Sequence, residues 1–160
     1  MENELSKIAE ALRSKGLMLA TAESCTGGGI AEYCTSVAGS SEWFDCAVVS
    51  YSNEAKQKLL GVNSDTLLTY GAVSHEVATE MVTGLLANTN ADVGISVTGI
   101  AGPGGGSDFK PVGTVYIAWG MKKKPVLVKK FQFSGNREAV RKSSVGAAVA
   151  GLVNYLQDKF

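Results

Sequence analysis

Thr21-Ala22-Glu23-Ser24-Cys25-Thr26-Gly27-Gly28-Gly29 joins an apolar run, Leu17 to Ala20, to helical spacing that resumes at Ile30. A serine on a sharp turn between a buried strand and a helix is placed to act as a nucleophile. Backbone amides of Thr26, Gly27 and Gly28, left unpaired at a helix N-terminus, would favour a carboxylate, a phosphate or a developing oxyanion. The plainer alternative is an N-cap followed by glycines that permit close helix–strand packing. A serine nucleophile needs a base. His75 is the one histidine, and it falls at an expected helix start with no orienting carboxylate, so it reads as a surface residue and a Ser-His-Asp triad is disfavoured. Lysine can replace histidine when it is desolvated enough to be neutral, and Lys56 lies one turn into the helix after the second strand. Lys56 is therefore the favoured base; the alternative is a solvated surface charge, the reading given to nearby Lys58.

Tyr51 could donate a hydrogen bond to a substrate or relay a proton, or simply pack. Cys25 is a rival nucleophile, because a thiol at a helix N-terminus can be reactive. Arg137 and Arg141 stand one turn apart at the start of the last helix, where cations face the positive end of the dipole and call for an anion. A phosphate gripped by a guanidinium fork and a structural ion pair satisfy that need equally well. Lys110 is a weaker phosphate candidate. Neither glycine-rich stretch matches G-x-x-x-x-G-K-[ST] or a properly spaced G-x-G-x-x-G, which disfavours ATPase and dinucleotide-dehydrogenase functions.

The elements that must position these residues follow from periodicity and punctuation. Residues 1 to 15 place Leu5, Ile8, Ala9 and Leu12 on one face and end at Gly16, as an amphipathic helix does. A strand over 17–22 leads through the serine turn to a helix near 26–37. Residues 46–51 form a second strand, with Asn53 as N-cap for a helix over 54–60 that Gly61 stops. A short helical turn spans 65–70, and Ser74 caps a helix running to about Leu86 with Val77, Met81 and Leu85 on one stripe. Residues 93–98 are a third strand and open into Gly99-Ile100-Ala101-Gly102-Pro103-Gly104-Gly105-Gly106, where five glycines and a proline in eight residues make a loop that hugs something. Strands over 115–119 and 126–133 form an antiparallel hairpin whose lysines protect the sheet edge. A last helix runs from Asn136 to about Asp158.

Alternating strands and helices with a late hairpin imply a three-layer α/β/α sandwich around a mixed, mostly parallel sheet of about five strands. Ligands in such folds collect beyond the carboxyl ends of strands. That brings the Ser24 turn, Tyr51-Ser52-Asn53 and the Thr98–Gly106 loop toward one pocket.

The 160 residues suit a single domain with one continuous core. Lys plus Arg and Asp plus Glu both total 15, so no global field points to nucleic acid or a membrane. The three cysteines lack a C-x-x-C pair or a histidine at zinc-ligand spacing, which indicates reduced thiols and no metal site. An acidic N-terminus and the lack of a membrane-length apolar run place the chain in the cytoplasm. A homo-oligomer is expected on general grounds, most often a dimer.

Five blocks carry a family resemblance: residues 21–28, Tyr51-Ser52-Asn53-Glu54-Ala55-Lys56, Gly71-Ala72-Val73-Ser74, Thr98-Gly99-Ile100-Ala101-Gly102-Pro103 and Lys110-Pro111-Val112-Gly113-Thr114-Val115. Together they resemble the CinA C-terminal family, known by name from competence- and damage-inducible proteins. The resemblance implies a nicotinamide mononucleotide deamidase, which hydrolyses the carboxamide to nicotinate mononucleotide and ammonia without a cofactor or metal. It implies Ser24 as nucleophile with Tyr51, Asn53 and Lys56 beside it. Thr98, Gly99, Ala101 and Gly102 would line the ligand pocket, with Arg137 or Arg141 nearest the phosphate. Many relatives join this domain to an N-terminal molybdopterin-binding-like domain. A member of the family that senses a nucleotide or binds a protein partner without hydrolysis is the alternative function, and DNA binding is disfavoured by the neutral charge.

Overall fold

The computed structural model describes residues 2–160. In chain order the elements are α1 (Glu2–Lys15), β1 (Leu19–Glu23), α2 (Gly29–Thr35), a 3₁₀ turn (Ser40–Glu42), β2 (Phe44–Val49), α3 (Asn53–Leu60), α4 (Ser64–Tyr70), α5 (His75–Asn88), β3 (Val93–Gly99), β4 (Thr114–Met121), β5 (Leu127–Gln132) and α6 (Arg137–Leu156). The five strands form one sheet in the order β2-β1-β3-β4-β5. β1 lies parallel to both β2 and β3. β3–β4 and β4–β5 are antiparallel.

The chain leaves β1, forms β2 on one side of it, and then crosses to form β3 on the other. Strand order therefore reverses at β1, and the crevice beyond its carboxyl end is where an open α/β sheet binds ligands. Ser24 is the next residue. The α/β sandwich is as expected from the sequence, but the sheet is not mostly parallel, since two of its four pairings run antiparallel. The cause is the connection from β3 to β4. It contains no helix to carry the chain back along the sheet, so β4 returns antiparallel.

Helices cover both faces. On one, Leu5, Ile8 and Leu12 of α1, Ile30 of α2 and Val140 and Leu152 of α6 pack on Ile95 and Val97. On the other, Leu60, Leu67, Val77, Met81 and Leu85 pack on Ala20 and Ala22. Leu5, Ile8 and Leu12 are each at most 1% exposed, and burial of each contributes roughly 1.5–3 kcal/mol before entropy. Together the three exceed any single cap, so packing rather than propensity holds α1 in place.

Two glycines fix the helices that carry the site. A Cβ on Gly84 would stand 1.6 Å from the Leu60 carbonyl oxygen, so α5 touches the backbone at the end of α3 and locks it down. A Cβ on Gly151 would stand 2.0 Å from Trp119 Cζ2. There α6 rests on the indole, whose Nε1 donates to the Ala148 carbonyl at 3.0 Å.

Several boundaries differ from the sequence reading for local reasons. α2 starts at Gly29 rather than near 26 because Gly27 and Gly28 have φ of 60° and 101°, outside the helical region. Ser52, not Asn53, caps α3: its hydroxyl accepts from the Ala55 amide at 3.0 Å, and Asn53 is the first helical residue. Ser74 caps α5 as expected, and Asn136 caps α6. The exposed Lys129 and Lys130 lie on edge strand β5. No helix among the described residues is long and apolar enough to cross a membrane.

Candidate active site

Lys56 Nζ lies 2.9 Å from Ser24 Oγ. The same nitrogen donates to the Ser50 carbonyl at 2.8 Å and to the Tyr51 carbonyl at 3.4 Å. Lys56 is 1% exposed and Ser24 8% exposed, and no carboxylate lies within ion-pair distance of the amine among the described residues. Burial therefore lowers the Lys56 pKa from its usual 10.5. A neutral amine has two N–H donors and one lone pair. In that form the two carbonyls would take both donors and the lone pair would face the Ser24 hydroxyl. The contact joins a serine hydroxyl to a buried amine, and at 1% exposure Lys56 is not a solvated surface charge.

Cys25 is the poorer nucleophile. Its thiol is 5% exposed, and burial raises its pKa to about 11, so at neutral pH it stays protonated. His75 is exposed at the start of α5, and Lys58 is exposed on α3.

Glu23 organises the turn that presents Ser24. Its carboxylate is fully buried and accepts four hydrogen bonds: Thr21 Oγ1 at 3.0 Å, Thr26 Oγ1 at 2.7 Å, Ile30 N at 2.9 Å and Ala31 N at 3.0 Å. The amide end of α2 is thus already occupied by the protein's own anion. Of the three amides expected to be free, Gly27 N donates to the Ser24 carbonyl at 3.0 Å. Among the hydrogen bonds of the described residues, the amides of Cys25, Thr26 and Gly28 have no acceptor. Sequence reasoning missed Glu23. The available signal was a charged residue closing a strand of otherwise small and apolar side chains, which must be satisfied if buried.

Three loops meet beyond the carboxyl ends of β1, β2 and β3 and enclose a cleft of about 270 Å³. Ser24, Lys56, Tyr51, Asn53, Thr98, Gly99, Ala101, Gly102 and Arg137 all line it. Cys25 and, from the expected Thr98–Gly106 loop, Ile100, Gly104 and Gly105 add to the wall, with Ala72 and Val73, which the sequence reading did not place there. Thr98 reaches the site indirectly, its hydroxyl donating to the Ala72 carbonyl at 2.8 Å and so holding that segment against β3.

The two arginines part company. Arg137 Nη1 donates to the Gly102 carbonyl at 2.8 Å and Nη2 to Tyr51 Oη at 2.8 Å, bridging two walls of the cleft. Arg141 and Thr26 instead line a separate hollow of about 420 Å³ between α2 and α6. Gly27 and Gly28 border neither. The ion pair at the start of α6 is Lys142–Glu138 at 3.0 Å, and neither arginine has a carboxylate within 4 Å among the described residues. Lys110 lies outside the cleft wall, its Nζ bonded to the Tyr70 carbonyl at 2.5 Å.

A family model described as the CinA C-terminal domain matches residues 2–156. The chain belongs to the CinA C-terminal domain family. Among its relatives, nicotinamide-nucleotide amidohydrolase PncC of Enterobacter agglomerans is 54% identical over 98% of this chain and 94% of its own. The protein of the same name from Escherichia coli K12 is 45% identical over 91% of this chain and 88% of its own. Among solved structures, the competence/damage inducible protein CihA from Agrobacterium tumefaciens superposes with a TM-score of 0.94 at 42% identity, covering 98% of this chain and 94% of that one.

Proposed function

We propose that this CinA-family chain acts as one amidohydrolase domain that cleaves the carboxamide of nicotinamide mononucleotide, giving nicotinate mononucleotide and ammonia. The observation that carries the chemistry is the buried Lys56 amine, 2.9 Å from Ser24 Oγ with both of its other contacts made to carbonyls. The names of relatives at 45% and 54% identity supply the substrate class.

Lys56 Nζ takes the Ser24 proton as Oγ attacks the carboxamide carbon, and the carbonyl π electrons move to oxygen. Free amides of the serine turn, Cys25 and Thr26, hold that oxyanion. As the oxyanion collapses, the C–N bond breaks and the ammonium form of Lys56 returns its proton to the departing nitrogen, which leaves as ammonia. Water then attacks the seryl ester, giving a proton to Lys56. The second oxyanion collapses, Ser24 Oγ recovers its proton, and the acid is released.

Arg137 serves the phosphate. Its Nη2 bond to Tyr51 Oη leaves the tyrosine proton free to donate to the same ligand, so the pair forms one anion-binding edge. Asn53 and the Gly99–Gly102 backbone shape the nucleoside end. Incubation of the purified chain with nicotinamide mononucleotide should release one ammonia per nicotinate mononucleotide formed. Tight binding of the mononucleotide without ammonia would contradict the amidase and favour the sensing role.

A further inference from the structure

Arg141 on α6 has no carboxylate within 4 Å among the described residues, so its other contacts decide its role. Nε donates to the Cys25 carbonyl at 3.2 Å and Nη2 to the Thr26 carbonyl at 3.2 Å. The guanidinium lies over Gly27, where a Cβ would stand 3.4 Å from Nη2. It therefore grips the outer side of the serine turn, facing the hollow between α2 and α6 rather than the cleft.

In a trans peptide the N–H points opposite to the C=O. The Cys25 carbonyl shares its peptide with the Thr26 amide, so holding that oxygen on the outer side turns the Thr26 N–H inward. Thr26 is otherwise fully engaged: Oγ1 donates to Glu23 at 2.7 Å, and its carbonyl accepts from Arg141 and from Gly29 N at 3.0 Å. Among the described residues its N–H has no acceptor, and Thr26 directly follows the cleft-lining Ser24 and Cys25. A cation on the carbonyl also polarises the peptide and makes the N–H a stronger donor.

We infer that Arg141 is a positioning residue that orients and polarises the Thr26 amide as an oxyanion donor, and is not a ligand of the substrate phosphate. The inference rests on the amidase reading for its substrate but not for its geometry. Arg141→Ala should lower kcat about 10- to 100-fold, the range set by losing or misplacing one oxyanion donor. KM and inhibition by nicotinate mononucleotide should stay within about twofold of wild type, because ground-state contacts are untouched. The pH midpoint of kcat should not move. Low millimolar guanidinium should restore part of the Arg141→Ala rate through the open hollow, and Arg141→Lys, with one donor point in place of a fork, should fall between.

A second readout does not depend on the substrate. Fluorophosphonate labelling of Ser24, in which Oγ displaces fluoride at a phosphorus whose oxygen needs the same donors, should slow by a similar factor in both variants. A raised KM with kcat intact would make Arg141 a phosphate ligand and overturn the inference, as would unchanged kcat and labelling. If wild type released no ammonia the amidase reading would fail, while the labelling comparison would still decide Arg141. Should Arg141→Ala fail to fold, Arg141→Lys carries the same test.

Discussion

Replacing Lys56 with methionine keeps the length and apolar stem of the side chain and removes only the amine. In the folded protein that amine lies 2.9 Å from Ser24 Oγ, and its two carbonyl contacts hold it there. Loss of a general base costs about 10²–10⁴-fold in rate. Lys56→Arg should be as inactive as Lys56→Met, because a guanidinium keeps its donors and offers no lone pair. The pH profile tests the same point. Burial lowers the Lys56 pKa from 10.5, and a lysine base acts only as the neutral amine, so kcat/KM should rise with pH through a midpoint below that value and level off above it. Stability should follow with a defined sign. Between the folded pKa and the unfolded one the unfolded chain binds the extra proton, so the stability of wild type relative to Lys56→Met should increase with pH across that interval. Ammonia release from about pH 6 to about pH 11, bracketing ordinary histidine and lysine titration, with urea unfolding at each pH, would measure both. A Lys56→Met protein within tenfold of the wild-type rate, or with the wild-type pH profile, would refute the assignment of the base.

Arg137→Ala should raise KM for nicotinamide mononucleotide about 10- to 100-fold with a smaller effect on kcat, since a charge-assisted phosphate contact is worth roughly 1.5–3 kcal/mol; steady-state kinetics would show it. Glu23→Gln should destabilise the fold by about 2–4 kcal/mol in urea unfolding, because an amide NH₂ would face donors that now share a carboxylate. Gly84→Ala should cost about 3 kcal/mol or more by the same measurement, as a Cβ 1.6 Å from the Leu60 oxygen forces α5 off the α3 backbone.

Much of the site was legible because its residues sit at punctuation. Ser24, Tyr51, Asn53 and the glycine loop each follow a strand, and a strand end in an α/β sheet is a defined location. Lys56 was legible from its spacing: one turn into a helix that follows a strand end points back toward the crevice. What periodicity cannot report is which way a long side chain turns. Arg137 and Arg141 differ by one helical turn, yet one bridges the cleft and the other grips the back of the serine turn. Glu23 was hidden for a related reason, since an acidic residue beside a helix start reads as solvated until its four buried donors are seen. The direction of β4 was readable in principle, because fourteen residues of glycine-rich loop between β3 and β4 contain no crossover helix.

The central claim is that Ser24 supplies the attacking oxygen. Ser24→Ala should bind nicotinamide mononucleotide by calorimetry with a Kd close to that of wild type while releasing no ammonia above the uncatalysed background in the same samples. Ammonia release by Ser24→Ala at the wild-type rate would contradict it.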